Sequence, residues 1–449
     1  MTPSDAQFRY RRIQNWFFLG LMYAMFYMAR YNLTVADPYL LKAFGWSKTQ
    51  LGILKSAGLL TYGVAVFFNG PLADRIGGKR AILIGAAGAA VFNVLFGILG
   101  TQFESALGPG QVALNAVSTL AMLWAFNCYF QSFGALSIVK INAAWFNVRE
   151  RGRFAGIFGI MIQFGRWLPF NVGAFLLATL PWRYNFFVPA AMLVLLFILN
   201  FFLVQDSPEH AGLGDYDTGD ESPEDAAKPA SFGFILRKVF STPVCWVIAG
   251  ASFCTGIVRQ GIVDQWSTLY FKQVHHLDPS ASIVKQTNGL FIPVAAVLAG
   301  LVAGNVSDRI FGARRGPVIT LAFCGQALLL VVLGHIEGPL AAGVTLASLM
   351  FCINAGHSLI GGAASMDFGG KKAAATAAGL FDGMQYIAGS AVGYGMGRVL
   401  DTYGWGAWTY AVLPFALIGA GLAAMLWNVL PKGGLHGVPV VQIAGGKAA

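Results

Sequence analysis

The chain has 449 residues, 56% of them hydrophobic and only 11% charged, with a mean hydropathy of +0.62. Soluble domains carry about 25% charged residues, so this composition excludes an ordinary soluble enzyme or binding module and points to an integral membrane protein. The net charge of +10 would suggest a nucleic-acid partner in a soluble chain; in a membrane chain the basic residues are topology signals first, and no nucleic acid is expected.

Met1 to Arg12 is polar, and the apolar run that follows is too long for a signal peptide and lacks a small-residue cleavage site, so the first helix is expected to stay. That run ends in Tyr23-Ala-Met-Phe-Tyr27-Met-Ala-Arg30. A charge inside a bilayer-spanning run costs roughly 2.5 to 3.5 kcal/mol on insertion scales, and the i, i+4, i+7 spacing puts both phenols and the guanidinium on one helical face. Such a face can hold an anion.

Stretches able to cross roughly 30 Å of hydrocarbon recur at 14–40, 50–70, 81–100, 113–140, 154–180 and 184–204, then at 243–271, 284–307, 316–336, 339–363, 373–400 and 405–429. The expectation is an all-α membrane protein of twelve transmembrane helices in two six-helix bundles, residues 1–204 and 241–449. Residues 205–240, containing DYDTGDESPEDAAKP, read as a flexible acidic cytoplasmic linker. With the N terminus cytoplasmic, nineteen Lys and Arg fall in inner segments and five in outer ones, so both termini are expected inside. The five cysteines, Cys128, Cys245, Cys254, Cys324 and Cys352, lie in apolar runs without metal-ligand spacing, and neither disulfides nor a metal site is expected.

The halves echo one another. Gly70-Pro-Leu-Ala-Asp74-Arg75-Ile-Gly77-Gly78-Lys79-Arg80 returns as Gly304-Asn-Val-Ser-Asp308-Arg309-Ile-Phe-Gly312-Ala-Arg314-Arg315, an offset of 234 between the aspartates. Arg30 returns as Arg259 at an offset of 229, so the two arginines are expected to face each other at similar depth. In the loops, Gly70 and Gly304 are expected to permit close helix approach, and Asp74 and Asp308 to cap neighbouring helices, with Arg75 and Arg309 completing a gating or structural motif.

The duplicated G-x-x-x-D-R loop with twelve spans is similar to the signature of the major facilitator superfamily, which implies its pseudo-symmetric fold. Further stretches resemble the organophosphate:inorganic phosphate antiporter family, which includes glycerol-3-phosphate and hexose-6-phosphate carriers and a hexose-phosphate sensor. They are Tyr27-Met-Ala-Arg30-Tyr-Asn32, Phe130-Gln131, Trp145-Phe146 with Glu150-Arg151-Gly152, Asp206-Ser-Pro208, Arg259-Gln-Gly261 with Asp264-Gln-Trp266-Ser, and Lys371-Lys372-Ala with Thr376. The resemblance implies a transporter of a bacterial inner membrane, working as a monomer, that exchanges a sugar phosphate or similar organophosphate for inorganic phosphate. It implies that Arg30 and Arg259 grip the phosphoryl group, as bidentate guanidinium chemistry allows. The alternatives are a non-transporting sensor and a proton-coupled organic anion carrier.

Tyr23, Tyr27, Tyr62, Tyr386 and Gln131 follow the family pattern and join the arginines as candidate substrate-binding residues. Val66 and Ile162 replace a lysine and a histidine of the glycerol-3-phosphate carriers, while Ala135, Gly256 and Ala355 replace aromatics. The cavity is therefore expected to be larger, which favours a sugar phosphate. Arg166 could restore a lost charge, and His357 could bind phosphate or sense protonation. Asp264 and Asp382 are expected to pair with an arginine or to carry a proton. Lys55 and Arg398, near outer span ends, and Lys140, near an inner one, are expected to snorkel to the headgroups. No P-loop, catalytic triad or metal box is present, so neither an enzyme nor a cofactor is expected.

Overall fold

The computed structural model describes residues 5–107, 111–147, 160–214, 216, 241, 243–312, 314–360 and 365–429. Most of the 205–240 linker lies outside them, as do Glu150 and Arg151 and the side chains of Asp74, Lys371, Lys372 and Thr376. Among the described residues the regular structure is entirely helical. The first half holds α1 (Asp5–Phe44), α2 (Lys48–Ile76), α3 (Gly78–Ser105), α4 (Leu114–Gln131) leading into α5 (Phe133–Trp145), α6 (Ile160–Thr179) and α7 (Tyr184–Leu203). The second holds α8 (Pro243–Asp264), α9 (Ser267–Val274), α10 (Ser282–Arg309), α11 (Arg315–His335), α12 (Pro339–Ser358), α13 (Ser365–Tyr403) and α14 (Trp408–Ala424).

Among the described residues nine helices have the length and apolarity of a membrane span. The long α1, the bent α4–α5 pair and α13 bring the passages to the expected twelve. Buried apolar side chains gather within each half, around Phe26, Ile141 and Leu193 in the first and Trp266, Phe323 and Leu349 in the second. Phe202, Leu301, Leu417 and Ile418 point outward and are exposed. Large apolar side chains turned outward on both halves are what lipid contact requires, and the chain is a multi-pass membrane protein.

α1 carries the chain from the terminal face to the opposite, distal face, where Gly45 adopts φ +65° and ends the helix. Ser47 and Gln50 then form a reciprocal capping box at the start of α2. A second cap comes from the other half of the chain. Asp401, near the end of α13, accepts hydrogen bonds from the backbone N–H of Lys48 (3.1 Å) and of Thr49 (2.7 Å) and from the Thr49 hydroxyl (2.6 Å).

Below this cap α2 and α13 cross with their backbones in contact. A Cβ on Gly52 would sit 2.3 Å from the Gly393 carbonyl oxygen, and one on Gly397 would sit 2.5 Å from that of Lys48. Ser56 Oγ uses the space, donating to the Ser390 carbonyl (2.5 Å) and accepting from the Tyr394 N–H (2.7 Å). α6 and α10 meet through a side chain instead, the Asn171 amide lying over Gly289, where a Cβ would stand 2.1 Å from Asn171 Nδ2. Small residues let helices approach where lipid offers no hydrophobic drive, and here they seal the distal half between the two halves of the chain.

The duplicated loops do something different from the expectation. A Cβ on Gly304 would meet nothing within 4 Å, and one on Gly70 would make ordinary contact with Leu136 at 3.9 Å, so neither marks a close approach. Asp308 bonds the Arg315 guanidinium (2.6 Å), with no side-chain cap on α11. Arg75 and Arg309 are exposed. The cap on α3 comes from Asp206, whose Oδ1 accepts from the Lys79 N–H at 2.7 Å. Gly77, at φ +92°, turns the chain there, and a Cβ on it would stand 3.1 Å from the Asp206 carboxylate.

Gly52→Val is expected to hold α2 away from α13 while leaving insertion intact. A membrane-impermeant maleimide applied from the distal side should then label a cysteine placed at Thr34, a cavity-lining position the natural seal shields; unchanged labelling would show that this crossing does not close the distal face.

Candidate substrate-binding site

The two arginines line one cavity between the halves, about 560 Å³ of empty space with its opening included, together with Tyr27, Tyr31, Lys55, Asp264 and Tyr386. Arg30 projects from the middle of α1. Its guanidinium carbon lies 4.4 Å from the Tyr62 ring centroid and 5.3 Å from that of Tyr27, so the cation is held against aromatic faces. Its Nε donates to Gln131 Oε1 at 2.9 Å, and its Nη2 is buried without a hydrogen-bond partner among the described residues. Among the described residues no carboxylate forms an ion pair with it.

Arg259 is held differently. It opens a π-helical turn, Arg259–Asp264, at the end of α8. In an α-helix residues five apart point about 140° apart, whereas the wider turn brings them toward one side. Arg259 Nε thus reaches Asp264 Oδ2 at 2.9 Å with a fifth of its side chain still exposed. Asp264 is crowded with donors: Oδ1 accepts from Arg166 at 2.6 Å, and Oδ2 also accepts from the Tyr31 hydroxyl (3.2 Å) and Gln260 Nε2 (3.3 Å). Arg166, on α6, lies over the Tyr31 ring at 5.1 Å. The carboxylate therefore joins both halves of the chain. The expected pairing of Asp264 with an arginine is present, and it makes the two cations unequal: Arg259 has a counter-charge within its own helix, and among the described residues Arg30 does not.

Lys55 overturns the snorkelling expectation. Its side chain is 3% exposed and lines the cavity. The ammonium pairs with the fully buried Asp37 on α1 (2.5 Å), donates to the backbone carbonyl of Gln265 in the other half, and lies 4.4 Å from the Trp266 ring centroid. The chain leaves helical geometry at Gln265 and Trp266, between α8 and α9, which brings that carbonyl within reach of the lysine. Charge near a span end normally suggests a headgroup contact; the signal for the deeper role was Asp37, a carboxylate inside the first apolar run.

The cavity and the groups bonded directly to it thus carry Arg30, Lys55, Arg166 and Arg259 against Asp37 and Asp264, an excess of two positive charges. Tyr62 and Tyr386 lie close together, ring centroids 4.4 Å apart and planes tilted by 43°, with Tyr386 on the cavity wall. Tyr23 is buried behind Tyr27 at 5.3 Å. Gln131 is fully buried and reaches the cavity only through Arg30. His357 lies away from the lining, its Nδ1 2.7 Å from Gln385 Nε2, and Asp382 is exposed and does not pair with Arg166.

The three positions expected to enlarge the cavity do not line it. A Cβ on Gly256 would stand 2.6 Å from the Gln385 carbonyl oxygen, so that glycine serves the packing of α8 on α13. Ala355 is buried in the apolar core. Arg398 is exposed, as expected for a headgroup contact, whereas Lys140 donates to the Ala73 carbonyl at 3.2 Å.

A helical membrane protein with a cationic cavity between two similar halves has the architecture of a secondary transporter. The Major Facilitator Superfamily model matches residues 19–394, and the chain belongs to that superfamily. It is similar to the "Glycerol-3-phosphate transporter" of Bacillus subtilis (strain 168), 28% identical with 95% of each chain covered. It is also similar to the "Probable hexose phosphate transport protein" of Chlamydia pneumoniae, 25% identical over 95% of this chain and 93% of that one. These relatives bear out the resemblance to the organophosphate:inorganic phosphate antiporter family. In fold the chain matches an inward-facing, unoccupied bacterial homolog of the human lysosomal transporter Spinster, with a TM-score of 0.74 at 13% identity, over 95% of this chain and 98% of that one.

Asp37→Asn leaves Lys55 buried without its counter-ion, a change that costs about 3 to 5 kcal/mol when one partner of a buried pair is removed. A clear fall in Tm of the purified protein in detergent is the expected result. The double variant Asp37→Asn/Lys55→Met should recover most of that loss; equal Tm for the natural protein and Asp37→Asn would show that the pair is not holding this wall.

Proposed function

We propose that this chain carries a phosphate monoester across a bilayer in exchange for inorganic phosphate, by alternating access of residues 1–204 and 241–449 as two six-helix bundles. Arg30 and Arg259 grip the phosphoryl group. The observation that carries the reading is the charge excess of two around a cavity bearing two guanidinium groups from opposite halves. A phosphate monoester carries about −1.5 to −2 at pH 7, so the ligand and its surroundings balance. Names of the relatives support phosphate esters as the cargo class, their bacterial sources support a bacterial inner membrane, and the distribution of basic residues supports both termini being cytoplasmic.

The unequal partners of the two arginines give the reading a sequence of events. Asp264 pairs with Arg259 within α8 and also bonds Arg166 and Tyr31 across the interface. Arg30 offers an unpartnered Nη2. Phosphate docks on Arg30 and then competes with Asp264 for Arg259. Loosening Asp264 from Arg259 leaves that carboxylate on Arg166 and Tyr31 of the first half, while the phosphoryl group itself draws the two halves together. A ligand shifts such an equilibrium only through its different affinity for the two states, and guanidinium groups contributed by opposite halves supply a difference of that kind.

Arg30→Lys and Arg259→Lys keep the charge and lose the bidentate fork. Each is expected to cut counterflow of labelled phosphate in phosphate-loaded proteoliposomes by more than tenfold while the protein still inserts. Near-natural exchange by either variant removes that residue from the clamp. Ligand binding without counterflow in the natural protein would make the chain a sensor rather than a carrier.

A panel of unlabelled esters in the same assay reads the rest of the ligand. With Lys55 already paired and Leu33, Leu59 and Trp124 giving the lining an apolar part, esters with a neutral organic part are expected to compete better than those with a second carboxylate. The reverse order would mean that Lys55 leaves Asp37 to meet the ligand.

A further inference from the structure

Behind Arg30, on the side away from the cavity, lies a row of buried amides: Asn32, Asn93, Asn127, Gln131 and Asn185 are all 0 or 1% exposed. Unpaired amides in such a place are costly, and among the described residues every amide oxygen and nitrogen of the row except Asn185 Oδ1 has a partner, which favours one arrangement. Asn185 Nδ2 donates to the Asn32 carbonyl (2.9 Å), and Asn32 Nδ2 donates to the Asn185 carbonyl (3.1 Å) and to Asn93 Oδ1 (2.9 Å). Asn93 Nδ2 reaches Asn127 Oδ1 (3.0 Å) and the Ala89 carbonyl (2.9 Å). Asn127 Oδ1 also accepts from Gln131 Nε2 (3.1 Å). Gln131 Oε1, at the end of the row, accepts from Arg30 Nε.

The row has a direction. Three amide nitrogens converge on one backbone carbonyl, that of Ala29, from Asn93 (3.4 Å), Asn127 (3.3 Å) and Gln131 (3.1 Å). The Leu33 N–H, which a regular helix directs to that carbonyl, donates to Asn32 Oδ1 at 2.9 Å. A carbonyl only accepts, so each of these amides must present its NH₂ end to Ala29. For Gln131 that choice turns the oxygen toward the guanidinium of the next residue. A reversed amide would set N–H against N–H at Arg30 and oxygen against oxygen at Ala29.

We propose that Asn93 and Asn127 are positioning residues for phosphate binding. Through the Ala29 carbonyl and the orientation of Gln131 they fix the height and direction of the Arg30 guanidinium, although neither touches the cavity. This assigns Gln131 to holding Arg30 rather than to contact with the ligand. The inference rests on the reading of Arg30 as a phosphate ligand and adds to it the device that aims the arginine. Arg259 receives the same service from its π-helical turn and Asp264; Arg30, without a carboxylate, receives it from neutral amides.

The test measures binding of inorganic phosphate to the purified full chain by calorimetry. Asn93→Leu is expected to raise the Kd at least tenfold with the Tm of the ligand-free protein little changed; the smaller Asn93→Ser, too short to reach Asn127, should do the same and serves where leucine impairs folding. In an Arg30→Lys background either change should add less than twofold, because coupled residues are not additive. A Kd within twofold of the natural protein for the folded Asn93 variants, or full multiplication of the two effects in the double variant, overturns the inference while leaving the phosphate reading in place. A natural protein that ignores phosphate overturns that reading instead, and the inference with it.

Discussion

Everything in this molecule is arranged around the cost of holding guanidinium and ammonium groups where water is scarce. Desolvating a cation inside a helical bundle is expensive unless it is paired and hydrogen-bonded, and the three basic residues on the cavity wall meet that requirement in three ways. Lys55 takes a fully buried carboxylate, a backbone carbonyl and an aromatic ring. Arg259 takes a carboxylate shared with Arg166. Among the described residues Arg30 is compensated by neutral groups, the Gln131 amide oxygen and the faces of Tyr27 and Tyr62. It is the position at which an incoming anion has most to gain.

The same accounting explains why the distal half closes so tightly. Lys55 and Asp37 both belong to the first half, but the Gln265 carbonyl belongs to the second. Asp264, the residue just before it, binds Arg166 and Tyr31 of the first half. Two consecutive residues at the end of α8 therefore anchor separate buried cations, one through a side chain and one through the backbone. Glycine contacts between α2 and α13 bring the helices near enough for these bonds to form, and Asp401 adds a cap at the surface. Opening the distal face requires these contacts to separate together, so the seal should behave as one unit.

Much of this was legible in the chain. Twelve apolar runs, the duplicated loop and the duplicated arginine gave the architecture, because membrane spans and internal repeats write strong periodic signals. What escaped were features that depend on register between helices distant in sequence. Gly256 read as a missing aromatic and thus as open space; the backbone of Gln385 fills it. Gly70 and Gly304 read as packing glycines, whereas the tight crossing belongs to Gly52, Gly393 and Gly397. Lys55 read as a headgroup contact because its distance from the span end was visible and Asp37, one helix away, was not matched to it. The π-helical turn that joins Arg259 to Asp264 has no clear sequence mark, yet it decides which arginine is paired.

That turn also limits how far the internal symmetry reaches. Two copies of an arginine at matching positions suggest a symmetric clamp, and a symmetric clamp would leave the order of ligand contacts undetermined. The repeat has kept the cations and let their partners diverge: residue 35, five beyond Arg30 as Asp264 is five beyond Arg259, is a fully buried valine. The first half therefore offers a cation in fixed orientation, and the second offers one that must be released from its own carboxylate. An anion entering such a site meets a ready partner and a guarded one. The guarded partner is held by a carboxylate that also bonds Arg166 and Tyr31 across the interface, so the counter-ion of Arg259 and the seal share one group.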